Sequence, residues 1–261
     1  MRVVVKIGGA ALDNETLVAE FCTTIAALAQ QGHQLLIVHG GGAALSRTLK
    51  ELGKEPVFVN GLRVTDAKTR DTALMVLGGL LNKKLAAAIG ALGPATVGLC
   101  GSDLDLCTAR KKPLTQDLGF VGEIAAVNDR WIELLWENGA IPVVASIARG
   151  GDGEFYNVNA DEMASAIASA CVAGTLVFLT DVPGVKDSAG EVMNRLGLNR
   201  IETMTANGTV SGGMLPKLEA CKRALLAGVG SVRILAAAKV SVLPSLLDTP
   251  LECGTELVVH A

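Results

Sequence analysis

Lys6 stands between Val5 and Ile7 in the run VVVKI, and Gly8-Gly9 follow at once. An ammonium in an apolar run must reach something polar or bear a heavy burial cost. An anion in front of the glycines would satisfy it. A second turn, Gly40-Gly41-Gly42, follows the apolar run LLIVH. Glycine lets a phosphate oxygen approach the backbone, whose N–H groups then donate with no side chain in the way. The chemistry suggested is a phosphoryl group held between two turns; two tight packing turns are the plainer alternative.

Further clusters carry polar groups at the ends of apolar runs. Asn60-Gly61-Leu62-Arg63-Val64-Thr65 places an arginine before a long helical pattern; its fork suits a bidentate carboxylate, with a surface ion pair as the alternative. Asn157-Val158-Asn159-Ala160-Asp161 precedes an alanine-rich helical stretch that Asn159 or Asp161 could simply cap. Gly212-Gly213-Met214-Leu215-Pro216-Lys217 again joins glycines to a lysine at a helix start, and Thr180-Asp181-Val182-Pro183-Gly184-Val185 follows the run Leu176–Leu179. Neither GxxxxGK[ST] nor GxGxxG occurs, so neither a P-loop nor a dinucleotide fingerprint supplies the phosphate logic.

The elements that must position these groups alternate. Strand-like runs fall at Val3–Ile7, Leu35–Val38, Ala95–Leu99, Ile141–Ala145, Leu176–Leu179 and Val232–Leu235, and helix-length patterns at Glu15–Gln31, Ala43–Leu52, Thr69–Leu92, Asp129–Asn138, Ala160–Ala173 and Pro216–Ala227. That order predicts βαβ units and a mainly parallel sheet, whose ligands sit beyond the carboxyl ends of its strands. Cys107–Asn128, with Lys111-Lys112-Pro113, reads as hairpins or an excursion at one sheet edge, and Gly150–Asn159 as a loop with a short return strand.

Composition bounds the function. The chain has 261 residues, half of them hydrophobic but only 3% aromatic, with 30 glycines, the profile of a layered sheet-and-helix protein. A net charge of −3 offers no general field for nucleic acid or an anionic membrane. The six cysteines form no CxxC pair and no metal-ligand spacing with the three histidines, and read as small buried residues of a reducing cytoplasm. No leader pattern and no continuous apolar run of membrane length is legible, so a cytoplasmic protein is expected.

The ordered set VVVKIGGAAL, VHGGGAAL, NGLRVTD, LNKKLAA, NVNADEMA, TDVPGV and GGMLPKLEA spans nearly the whole chain and resembles the amino-acid kinase superfamily, most closely its acetylglutamate kinase family. The resemblance implies an α/β fold, a three-layer αβα sandwich with an open, mainly parallel eight-stranded sheet. It implies one domain over 1–261, with about 1–174 binding the acyl amino acid and about 175–261 binding ATP, usually in a homodimer. The implied reaction is transfer of the γ-phosphoryl group of ATP, carried with Mg2+, to the side-chain carboxylate of N-acetyl-L-glutamate in arginine biosynthesis.

Residue by residue, Lys6 and Lys217 match the family's catalytic lysines and Asp161 the aspartate that orients both. Gly8, Gly9, Gly41 and Gly42 match the turns that hold the moving phosphoryl group, Gly41 and Gly42 also bordering the substrate. Arg63 matches the holder of the substrate's α-carboxylate, and Asn157 a contact to the acetylamino acid. Asp181, Val182, Pro183, Gly184, Val185 and Lys186, together with Thr209, Val210 and Ser211, match the nucleotide segments. No protein metal ligands are implied. The chain departs from many relatives at Gly101-Ser102-Asp103 and at Val232–Ala237, positions outside that set. It starts directly at its first strand, without the extra N-terminal helix of arginine-inhibited hexameric relatives, so an arginine-insensitive dimer is expected. The rivals are a sister kinase for glutamate or aminoadipate borne on a carrier protein, disfavoured by NGLRVTD, and a non-catalytic sensor, disfavoured by Lys6, Asp161 and Lys217 together.

Overall fold

The computed structural model describes residues 1–210, 212–248 and 253–259. In chain order its strands are β1 (Arg2–Ile7), β2 (Gln34–His39), β3 (Phe58–Val59), β4 (Leu62–Arg63), β5 (Thr96–Cys100), β6 (Cys107–Lys111), β7 (Val121–Val127), β8 (Ile141–Ala145), β9 (Ile147–Gly150), β10 (Phe155–Val158), β11 (Thr175–Thr180), β12 (Arg195–Gly197), β13 (Ser231–Ala236) and β14 (Thr255–Val258). The α-helices are α1 (Glu15–Gln30), α2 (Gly42–Glu51), α3 (Ala67–Ala73), α4 (Asn82–Gly90), α5 (Arg130–Glu137), α6 (Ala160–Ala170), α7 (Leu198–Ala206), α8 (Met214–Leu226) and α9 (Leu243–Asp248).

Eight strands form one sheet in the order β12-β14-β13-β11-β1-β2-β8-β5. Its pairings are parallel except β13 with β14. This is the expected mainly parallel eight-stranded α/β architecture. The central strands are apolar on both faces because helices cover both. Val3, Val5 and Ile7 pack with Leu35 and Ile37 against Phe21, Ile25 and Leu28 of α1 and Leu85 and Ile89 of α4. Val4, Leu36 and Val38 face Met163, Ala164 and Ile167 of α6, with α8 beyond. The period-2 alternation of a strand then puts Lys6 on the same face as Val4, towards α6.

The segment expected as edge hairpins is a separate device. β6 and β7 curl with β9 and β10 into a small closed barrel, ordered β10-β7-β6-β9, and β10 is the expected short return strand. Only Ser146 separates β8 from β9, so the chain leaves the large sheet directly into the barrel. Its last strand then delivers Asn157 and Asn159 to the start of α6.

The stretch expected as one helix over Thr69–Leu92 runs from 67 to 90 as α3, a π-helical segment Leu74–Leu81, and α4. Ala67–Gly90 is long and apolar enough to cross a membrane by length and composition alone. In the fold it is a packed element: Val76 and Leu77 join one apolar cluster, and Leu85, Ala86 and Ile89 another.

Candidate active site

Strand β1 lies between β2 and β11, with Lys6 in register with Val38 and Phe178. The turns that follow these three strands therefore open onto one crevice at the carboxyl edge, where free helix N–H groups also point. Asn159 caps α6, its Oδ1 accepting from the N–H groups of Asp161 (2.8 Å) and Glu162 (3.2 Å). Of the two capping candidates the structure selects Asn159, which leaves the Asp161 side chain free to face the crevice.

Asp161 lies between two ammonium groups. Lys6 Nζ is 2.9 Å from Oδ1, and Lys217 Nζ, from the first turn of α8, is 2.6 Å from Oδ2. Burial pushes the Asp161 carboxyl up, but the Coulombic pull of Lys6 and then Lys217 outweighs it and holds the group at about 2. The triad carries a net positive charge at neutral pH. The Lys217 ammonium also lies 5.2 Å from the centre of the Phe178 ring, a favourable face for a cation.

Three cavities border Asp161, one of them, of about 800 Å³, on the side of Gly212, Gly213 and Arg223; the other two also share Lys6. One, of about 280 Å³, is lined by Lys6, Gly8, Gly9, Gly40–Gly42, Arg63, Asn157 and Asp161, among others. The other, of about 480 Å³, is lined by Lys6, Gly8, Gly9, Asp161, Thr180–Val182, Gly213, Met214 and Lys217, among others. Lys6, Gly8, Gly9 and Asp161 belong to both, so the first glycine turn is the passage between them. A Cβ on Gly8 would come within 2.9 Å of Lys6 Nζ; the missing side chain is what lets the ammonium fold back over its own turn. Gly41, at φ +157, has the second turn's most constrained backbone, and its Cβ would meet Leu81 Cδ1 at 2.3 Å and Leu77 Cδ2 at 2.6 Å.

In the smaller cavity Arg63 is buried on the short β4 strand, below the Phe58 ring at 4.6 Å. One guanidinium nitrogen, Nη2, donates to the Gly42 carbonyl and to Ser46 Oγ, each at 2.8 Å. The other, Nη1, is buried without a hydrogen-bond partner among the described residues. A buried donor left unmade is costly, and a carboxylate in the cavity would satisfy it. Asn157 stands on the same wall and donates to Thr65 Oγ1 at 3.3 Å. Of the two readings open for Arg63 in the sequence, the burial and the free Nη1 favour a ligand over a surface ion pair.

The remaining sequence candidates fall in the C-terminal half in different settings. Asp181 and Val182 line the larger of the two cavities that share Lys6. Val185 packs into the core and its N–H donates to Thr255 Oγ1 at 2.8 Å, while Gly184 sits at φ +158 beside that same threonine. Lys186 forms a bridge with Val192, and Pro183 lies in the same turn before it. Thr209 lines a separate cavity of about 460 Å³ with Asp187, Asn199, Arg200 and Asn207, among others. Val210 is buried, its N–H on the Met204 carbonyl at 3.2 Å. Ser211 lies outside the described residues.

Ser146, which sequence reasoning passed over, also lines a cavity, as do Gly40, Gly213 and Met214, seen only as parts of their turns, and Asn159, seen only as a cap. Asn159 had a visible signal, its position before the helix, but the signal spoke of capping alone. Ser146 had none, since only the jump from sheet to barrel brings it to the cavity.

Comparison with known proteins shows the family. The model of the amino acid kinase family matches residues 1–236. The chain is 73% identical over 258 residues, 99% of each sequence, to the acetylglutamate kinase of Koribacter versatilis, and 54% identical over the same span to that of Acidobacterium capsulatum. An N-acetylglutamate synthase structure from Neisseria gonorrhoeae, solved with coenzyme A and N-acetyl-glutamate, superimposes with a TM-score of 0.88 at 23% identity, covering the whole chain and 60% of that protein. With 73% identity to a named relative over nearly all of both sequences, the chain belongs to the amino acid kinase family, among its acetylglutamate kinases.

Proposed function

We propose that the protein transfers the γ-phosphoryl group of ATP to the side-chain carboxylate of N-acetyl-L-glutamate, forming N-acetyl-L-glutamyl 5-phosphate and ADP. The observation that carries this reading is the meeting of two cavities at one carboxylate bridged by two ammoniums. The acetylamino acid occupies the smaller cavity, its α-carboxylate on the free Arg63 Nη1 and its acetylamino end near Asn157. The ATP phosphates occupy the larger one, with Asp181 and Val182 on its wall.

A substrate carboxylate oxygen attacks the γ-phosphorus while the bond from that phosphorus to the bridging oxygen of ADP breaks, and ADP leaves with the electron pair. No proton is moved, because the attacking carboxylate is already ionised at neutral pH. The obstacle is charge: at 4 Å and an effective dielectric of 20, one pair of like charges repels by about 4 kcal/mol. Lys6 and Lys217 face the transfer path and offset that repulsion as the equatorial oxygens gather charge. The N–H groups of the two glycine turns donate to the same oxygens. Asp161 holds both ammoniums in place and takes no proton itself. Mg2+ bound with the nucleotide would neutralise phosphate charge.

The reading includes a homodimer in the cytoplasm. Met75 and Leu80, 61% and 54% exposed on the apolar helix 67–90, and the edge position of β5 support the dimer. The free cysteines Cys22, Cys100, Cys107, Cys171, Cys221 and Cys253 support a reducing compartment. Acyl phosphate trapped as its hydroxamate tests the reaction. N-acetyl-L-glutamate should give signal that depends on ATP and Mg2+, with L-glutamate, L-aspartate and N-acetyl-L-aspartate near background. No signal with any of the four, despite ATP binding, would overturn the reading in favour of a carrier-borne substrate or a sensor.

A further inference from the structure

Behind the second glycine turn, away from both cavities, lies a polar chain that the reaction as described does not use. His39, the last residue of β2, and Asn82, the first of α4, are both fully buried. Asn82 Nδ2 lies 2.8 Å from the Val143 carbonyl, 3.1 Å from the Leu99 carbonyl and 3.1 Å from His39 Nε2. Two carbonyls can only accept, so the amide must turn its NH2 towards them, and its two hydrogens are shared among these carbonyls and the imidazole nitrogen. The Gly40 carbonyl, 2.8 Å from His39 Nδ1, can likewise only accept, so the proton sits on Nδ1 and Nε2 faces the Asn82 NH2 as an acceptor. Burial pulls the His39 imidazole below its ordinary value and keeps it neutral.

Gly40 is held on its other side too. Its N–H donates to the Ile7 carbonyl at 3.2 Å, and Ile7 is the residue immediately before the first glycine turn. The Gly40 peptide thus ties the two turns together. Space for the device is provided by Gly98 on β5, where a Cβ would lie 2.3 Å from Asn82 Oδ1. That oxygen has no hydrogen-bond partner among the described residues, an unmet acceptor accepted in exchange for the orientation of the NH2. The same helix presses Leu77 and Leu81 onto Gly41, and the π-helical turn between α3 and α4 sets the phase at which both leucines and Asn82 point at the turn.

We propose that Asn82 and His39 are positioning residues for phosphoryl transfer: Asn82, whose NH2 would oppose an Nε2–H, joins the Gly40 carbonyl in selecting the Nδ1–H tautomer of His39, and that N–H fixes the Gly40 peptide from which the Gly41 and Gly42 N–H groups are aimed. This rests on the kinase reading above. Because the aim of the N–H groups matters most where charge develops, the effect belongs in turnover, with ground-state binding little changed.

The test combines variants and a spectroscopic readout on the intact protein. Asn82→Leu keeps the volume and removes the donor; its turnover should fall about tenfold or more, with half-saturating ATP and acetylglutamate within about threefold of wild type. Long-range 1H–15N correlation of the imidazoles should show the single Nδ1–H tautomer for His39 in the wild type and its loss in Asn82→Leu. His39→Asn retains a donor near the Nδ1 position and His39→Gln does not, so the first should keep most of the turnover that the second loses. Gly98→Ala, which displaces the amide from the other side, should follow Asn82→Leu.

An unchanged His39 tautomer in Asn82→Leu, equal damage in the two His39 variants, or a loss confined to half-saturating concentrations would overturn the proposal. The tautomer is read without substrate, so it stands or falls separately from the reaction. A wild type inactive with acetylglutamate yet showing the tautomer switch would overturn the kinase reading and leave the Asn82 device standing.

Discussion

Lys217 and Lys6 share one carboxylate but face different tasks, because only Lys6 borders both cavities. Lys217→Ala should lower turnover about 10²-fold or more, the scale of a lost transition-state donor, with acetylglutamate affinity little changed; steady-state kinetics on both substrates reads the split. Arg63→Lys keeps the charge and loses the fork, since an ammonium has its donors on one atom and cannot hold Gly42 and Ser46 with one nitrogen while offering a second to a carboxylate. Half-saturating acetylglutamate should rise about tenfold or more by the cost of an imperfectly paired carboxylate, with ATP unaffected. Asp161 makes a prediction about pH. Its folded value, about 2, lies below the ordinary carboxylate value, so its stabilisation is fully present above about pH 4 and is lost as pH falls towards 2. Thermal melts over that range should show a steeper loss for the wild type than for Asp161→Asn.

At the scale of elements, the site depends on how each strand hands over to its helix. β1 and β2 each end in a glycine turn, and β10 ends in the Asn159 cap that starts α6. Asn159→Ala should cost about 1 kcal/mol through the lost cap, measured by chemical denaturation, and should also lower turnover because Asp161 sits on the second residue of that helix. Gly41→Ala meets two leucines of the π-helical segment at once; overpacking of this kind costs about 1–3 kcal/mol. Gly42, whose nearest neighbour at that point is Arg63 Nη2 at 3.8 Å, should tolerate alanine far better in stability. The contrast between the two melts measures how firmly the helix backs the turn.

Across the whole molecule the sheet works as a ruler. Its central strands set the two glycine turns and the Thr180–Val182 turn side by side, while α6 and α8, packed together over one face, bring Asp161 and Lys217 to the same edge from positions 56 residues apart. Light scattering should give twice the chain mass of 26.8 kDa, and Leu80→Asp, placing a charge on an exposed apolar helix face, should return a monomer. A monomeric wild type would sink the dimer while leaving the site intact, since every residue of the triad comes from one chain.

Much of this was legible in the residues themselves. Apolar runs at regular spacing define the parallel strands because buried strands admit little else, and a lysine inside such a run, with glycines after it, announces an anion. The ordered motifs carried the family, and with it the pairing of Lys6, Asp161 and Lys217. What only the tertiary structure decided are the features that depend on the phase of one element against another. Asp161 and Asn159 compete for the cap in sequence; the fold gives it to Asn159 and holds Asp161 between two lysines from other elements. The barrel itself was illegible, since its four strands are short and two of them lie on the far side of α5. LNKKLAA was visible as a motif without a task; its asparagine acquires one only when the π-helical turn rotates it beneath His39, because helix phase is set by packing across the core and not by neighbours along the chain.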